Sequence, residues 1–309
     1  MTARGRAVRP RATRRWGGRT GAGIAPYMQA APMALVFLVF FVVPLGATVV
    51  VSFWQYTQYS IEPAFTGGNY ADIFEGCLAR LPDICTTFAT YLSTLKFCLI
   101  VWATTLCIGF TVAYFLAFHV RSLKWQVVFF LLCTIPFLTS NIIRMISWIP
   151  FLGRNGIANS TLISWGVIDE PLEWLLFSDF SVILAFVHLY VLFMVVPIFN
   201  TMMRIDKSLV EAARDAGATG PQILWNVIIP LTKPGLMIGT IFVVTLVMGD
   251  FFTVRIMSGS QSANVGRLIS NDIGLLQYPS ASATAIVLLI TVLLIIGILL
   301  RFVDIRKEL

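Results

Sequence analysis

Six stretches of this chain are long, apolar and nearly free of charge, each close to the roughly 20 residues an α-helix needs to cross a bilayer. Met33–Phe53 (MALVFLVFFVVPLGATVVVSF) is the cleanest. The others run approximately Leu92–Phe118, Trp125–Trp148, Phe180–Asn200, Leu236–Val254 and Thr284–Phe302, the third with Arg144 near its end. Only helices and closed barrels satisfy every backbone polar group inside hydrocarbon. The pattern therefore predicts an all-α membrane protein with six transmembrane helices. The charged fraction agrees: it is 12%, against about a quarter in soluble domains.

Lys and Arg placement orients the spans, because positive loops stay on the cytoplasmic side. Residues 1–28 carry Arg4, Arg6, Arg9, Arg11, Arg14, Arg15 and Arg19 and no acid. With this end inside, Arg121, Lys124, Arg204, Lys207, Arg214, Lys233, Arg301, Arg306 and Lys307 also fall inside. Only Arg80, Arg154, Arg255 and Arg267 fall outside. Both termini are expected in the cytoplasm. The net charge of +7 is thus a topology signal; the basic tail suits anionic lipid rather than nucleic acid.

Residues 1–28, rich in Arg and Gly, read as a disordered cytoplasmic tail, and 29–309 as the six-helix membrane domain. Two longer outer loops, about 54–90 and 149–179, are mildly acidic. A third outer segment, about 255–283, holds Gly, Ser and Asn. Cys77 and Cys85 share the first outer loop, where an oxidising compartment permits a disulfide between them; two free thiols are the alternative. Cys98, Cys107 and Cys133 fall within spans as small hydrophobes. No Walker-type phosphate loop, H-E-x-x-H or paired-cysteine pattern occurs, so neither nucleotide chemistry nor a metal site is expected in this chain, and no catalytic residue is assigned.

The long inner loop is unlike the rest. Residues 211–230 read EAARDAGATGPQILWNVIIP. Ser208 and Glu211 have the S-x-x-E spacing of a capping box. Leu209, Ala212, Ala213 and Ala216 then share one narrow helix face that a partner could approach closely. Gly217 suits the left-handed residue that ends a helix. Thr219 and Gln222 repeat the capping pattern, with Pro221 in the first turn; Pro230 is expected to stop this second helix and Pro234 to begin the fifth span. The physical object is two short helices about a glycine turn, over 207–230.

This element resembles the EAA signature of permease subunits in ATP-binding-cassette importers. That signature is E-A-A, three residues, Gly, nine residues, Ile, one residue, Leu-Pro. The chain has Glu211-Ala212-Ala213, Gly217, then Val227, Ile228 and Ile229-Pro230 at the same spacing. The resemblance implies a type I importer permease in a bacterial inner membrane. It implies a coupling element, Ser208, Glu211, Ala212, Ala213, Gly217 and Pro230, that docks on a separate ATPase. The implied partners are a second, similar permease, two cytoplasmic ATP-binding subunits that use ATP and Mg, and a periplasmic solute-binding protein. No cofactor belongs to this chain itself.

Three further stretches resemble the spermidine/putrescine branch of that family. They are Ile135–Trp148 (IPFLTSNIIRMISW), Gly249-Asp250-Phe251 and Gln277–Ala285 (QYPSASATA). A polyamine or related small organic solute is the implied cargo. Arg144, Trp148 and Asp250 are the candidate pathway residues, since an ionisable group at membrane depth is functional by default. Lys96, by contrast, reads as a side chain that snorkels to the interface, and His188 as a satisfied bundle residue. The alternative function is a stand-alone channel or ion-coupled carrier, which predicts carboxylates deep in the spans.

Overall fold

The computed structural model describes residues 25–57, 60–74, 85–259 and 261–301. The expected tail therefore lies almost wholly outside the described residues. The chain divides into two compact units, Met1–Ala47 and Thr48–Leu309. The first contains a helix from Ala25 to Phe37 and a π-helical turn, Leu38–Val42; with the helix that follows, Tyr27–Val51 is long and apolar enough to cross a membrane.

The second unit carries the remaining spans. Span two is Thr86–His119, span four ends at Met202, span five ends at Gly249 and span six is Tyr278–Arg301. Span four, helical from Asp179, is the axis of the bundle and packs against both span two and span five. Val182, Ala185, Phe186, Met194 and Ile198 on it are fully buried. Lipid is as apolar as leucine, so this packing rests on close backbone approach rather than on hydrophobic expulsion. Gly235 and Gly239, four residues apart on span five, supply it. A Cβ on Gly235 would stand 2.5 Å from the Pro197 carbonyl, and one on Gly239 would stand 2.6 Å from Met194 Sδ.

Span three departs from the expected single helix. A helix from Leu123 to Thr134 tightens to a 3₁₀ turn at Ile135–Leu138, and Thr139 is extended. Helix resumes at Asn141, and the two halves meet at 90°. Pro136 explains the break: it removes a backbone donor and its ring collides with the carbonyl four residues back. The Thr139 N–H (3.4 Å) and hydroxyl (2.7 Å) both donate to the Pro136 carbonyl and close the turn.

Span five differs in the other direction. Pro230 does not stop a helix, and Pro234 does not start one. Helix runs from Gly220 to Gly249, passing through a π-helical turn at Leu224–Ile228 and then through both prolines. The wider turn of a π-helix shifts the bonding register just where Pro230 lacks a donor. Gly249 ends the helix, and Asp250 is extended (ψ 103°). The outer segment beyond it forms two more helices, Phe252–Met257 and Val265–Gly274. Its first outer counterpart holds a short hairpin pairing Gln55 with Glu62 and Tyr56 with Ile61.

Candidate functional site

The inner loop folds as a nine-residue helix, Lys207–Asp215, followed by a turn and the helix that becomes span five. The N-cap is Asp206, not Ser208: its carboxylate accepts from the Ser208 backbone N–H at 3.0 Å. Glu211 therefore falls in the second turn, too far along to close the expected capping box. A carboxylate wins this position because it bonds the orphan donor with full charge and meets the positive end of the helix dipole. The same backbone bond holds the Asp206 carboxyl below the usual carboxylate range. Asp206→Ala is expected to fray the first turn and lower coupled uptake severalfold; faster amide exchange at Leu209 and Val210 in the variant checks the cause.

The C-terminus closes as a Schellman motif. The Ala218 N–H donates to the Ala213 carbonyl (3.0 Å) and the Gly217 N–H to the Arg214 carbonyl (2.9 Å). Gly217 has φ +83°, and a Cβ there would meet nothing within 4 Å. Beyond the turn, the Thr219 N–H donates to Gln222 Oε1 (2.8 Å), as the second capping pattern predicts.

The faces of the first helix sort differently from the alanine stripe. Val210 and Ala213 pack on the protein's own core, with Ala218 after the turn. Leu209, Ala212 and Ala216 are exposed beside Glu211 and Gly217. Ala213 therefore belongs to the inner side, and the free face is Leu209, Ala212 and Ala216. Pro230, a third of the way along the span-five helix, is exposed but not part of that face.

The second cluster lies where spans three and five break. Arg144 is 7% exposed. One nitrogen, Nη2, donates to Asn141 Oδ1, while Nε and Nη1 are buried with no acceptor. Each unmet donor costs on the order of 1–3 kcal/mol. The guanidinium stacks over the Phe137 ring at 4.8 Å, and Phe137 meets Phe193 edge-on, also at 4.8 Å. Trp148 Nε1 donates to His188 Nδ1 at 3.0 Å, so His188 is satisfied within the bundle.

Asp250 pairs with neither Arg144 nor Arg255 among the described residues. It accepts instead from the Tyr190 hydroxyl (2.6 Å), the Thr253 hydroxyl (2.6 Å) and the Thr253 N–H (3.0 Å). Its carbonyl accepts from Asn264 Nδ2 at 2.8 Å. Asp250 thus ties span four to both helices that follow span five. Tyr190, a residue the sequence reading passed over, is the link.

Lys96 does not simply snorkel. Its ammonium pairs with Asp179 at 2.8 Å, and the other Asp179 oxygen accepts from the Ser262 hydroxyl at 2.6 Å. Cys85 caps span two and is disulfide-bonded; Cys77 lies outside the described residues. Cys98, Cys107 and Cys133 are free.

A broken-span bundle around one buried helix, with a capped helix-turn on its inner face, defines a transport permease of the type I importer fold. The chain belongs to the family of binding-protein-dependent transport system inner membrane components, whose model matches residues 105–307. It is 32% identical over 231 residues to the spermidine/putrescine transport system permease protein PotB of Salmonella typhimurium (strain SL1344), covering 74% of this chain and 76% of the relative. Against the PotB of Escherichia coli (strain K12) it is 33% identical, covering 74% of this chain and 80% of the relative. In fold it matches a chain from the crystal structure of a bacterial alginate ABC transporter bound to its pentasaccharide-loaded periplasmic protein. That match has a TM-score of 0.71 at 16% identity and covers 89% of this chain and 92% of the other. The chain is a non-catalytic, multi-pass permease subunit of an importer in the bacterial inner membrane.

Proposed function

We propose that this permease imports a polyamine or a closely related small organic solute. In this reading a second permease completes the pathway, and a periplasmic binding protein delivers solute to the outer loops. ATP with Mg is hydrolysed on two separate cytoplasmic subunits. These dock on the free face of the Lys207–Asp215 helix, at Leu209, Glu211, Ala212, Ala216 and Gly217. Arg144, Trp148 and Asp250 stand along the route.

One observation carries the coupling half of this reading: helix continues from Gly220, just past the docking turn, to Gly249. A displacement of the turn by a closing ATPase is passed to span five, whose helix continues through its π-turn and prolines, and span five grips span four through Gly235 and Gly239. The break at Asp250 lies at the far end of that helix, so a push at the turn reaches the other end of the pathway. The polyamine half rests on relatives named for spermidine and putrescine.

The test is reconstitution of the importer with its partner subunits in proteoliposomes. ATP-dependent uptake of labelled spermidine or putrescine is expected, with ATP hydrolysis stimulated by the loaded binding protein. Failure of both polyamines to be taken up by an importer that moves another solute would overturn the cargo and leave the coupling intact.

A further inference from the structure

Two breaks lie beside span four. One is the 90° bend of span three, which carries Arg144; the other is the end of span five, which carries Asp250. The helices that follow them, Asn141–Ile146 and Phe252–Met257, pack together. Arg144 is nine-tenths buried with two donors unmet, and its one polar partner among the described residues is Asn141 on its own helix. A guanidinium so placed at membrane depth belongs to a strained state, unless another arrangement supplies an acceptor.

The contacts lead from Arg144 to a single acid. Its guanidinium lies on Phe137, Phe137 packs on Phe193, Phe193 on Tyr190, and the Tyr190 hydroxyl donates to Asp250. Asp250 is held by exchangeable donors. Thr253 N–H occupies Oδ1, while the Tyr190 and Thr253 hydroxyls share Oδ2. A carboxylate has about four acceptor positions, so a guanidinium can replace the Tyr190 hydroxyl while the Thr253 cap on Oδ1 persists.

We propose that Arg144 and Asp250 form an ion pair in the opposite access state of the pathway, displacing the Tyr190 hydroxyl. The exchange supplies the two acceptors that Arg144 lacks here. It also changes what a cation meets. The two charges sum to zero in both states, but with the pair apart a guanidinium stands alone at the span-three break and opposes an ammonium there, whereas with the pair formed its field is cancelled at short range and an ammonium passes. Arg144 and Asp250 are then positioning residues of a charge gate. The gate rests on the reading that these residues line the route.

The test is a double-mutant cycle on the complete importer in proteoliposomes. Arg144→Gln and Asp250→Asn are each expected to lower uptake about tenfold, and the double variant no further than the worse single. The exchanged pair, Arg144→Asp with Asp250→Arg, is expected to recover part of the activity. Losses that multiply to about a hundredfold, or singles without effect, would overturn the gate. Should those variants fail to insert, Tyr190→Phe decides, because it keeps the ring volume and loses only the displaced hydroxyl. It is expected to change ATP hydrolysis in the absence of solute by about threefold or more, and an unchanged rate would overturn the gate. Protection of Trp148→Cys from a water-soluble thiol reagent by solute reports separately on the route. Protection with an uncoupled cycle leaves the route and removes the gate; a coupled cycle without protection leaves the ion pair but places it off the route, which overturns the gate as well.

Discussion

A permease carrying Gly217→Trp is expected to reach the membrane at the normal level and to import nothing. Solute-stimulated ATP hydrolysis should fall to the unstimulated rate. Two effects must be separated here. The backbone at Gly217 is left-handed, φ +83°, and any L-residue there pays about 1–2 kcal/mol. That strain is local, and a Cβ meets no other atom of the chain within 4 Å. The fold therefore accepts the substitution; the new bulk projects from the exposed turn toward whatever docks there. Gly217→Ala carries the strain without the bulk and is expected to keep most of the uptake. If the alanine variant is as dead as the tryptophan one, strain rather than docking is responsible. If the tryptophan variant stays fully coupled, the turn is not where the ATPase pushes.

Gly235→Leu should fail in the opposite manner, by losing the fold. Its Cβ would stand 2.5 Å from both the Pro197 carbonyl and Thr201 Oγ1, and 3.0 Å from Ile198 Cα. Two of those atoms are backbone of span four, which is packed between spans two and five and cannot retreat. Overpacking a well-filled site costs 1–3 kcal/mol for added methylenes, and a whole leucine side chain against backbone is expected to exceed about 3 kcal/mol. Purified protein should melt well below the wild type or fail to accumulate. Gly274→Leu is the control, since nothing lies within 4 Å of its Cβ. A Gly235→Leu protein that melts with the wild type would mean that spans four and five do not cross so closely.

The two glycines show why one part of this molecule is legible from sequence and another is not. Gly217 is announced by its neighbours. A helix pattern runs up to it and a second capping pattern begins two residues later, and both are local chemistry. Gly235 and Gly239 sit in an apolar run where the spacing of small residues is the sole signal, and it does not say which helix they face. Pro136 is a comparable case: its presence warns of a break, but a proline at 234 sits inside an unbroken helix. What distinguishes them is context: span five packs along span four and has a π-turn upstream, and neither is visible in the string of residues.

The sequence by itself determined the solvent the protein lives in, the positions of its long apolar spans and the turn within the loop between spans four and five. Those follow from apolar length and capping, each a property of a few consecutive residues. Tertiary structure alone decided that Ala213 faces inward while Ala212 faces out. It also decided that Lys96 meets Asp179 83 positions along the chain, that Asp250 is held by Tyr190, and that Arg144 lies buried with two donors unmet. These are contacts between distant segments. They depend on which helix face turns toward span four, and in a membrane that choice is made by close packing and hydrogen bonding, which the order of residues does not spell out.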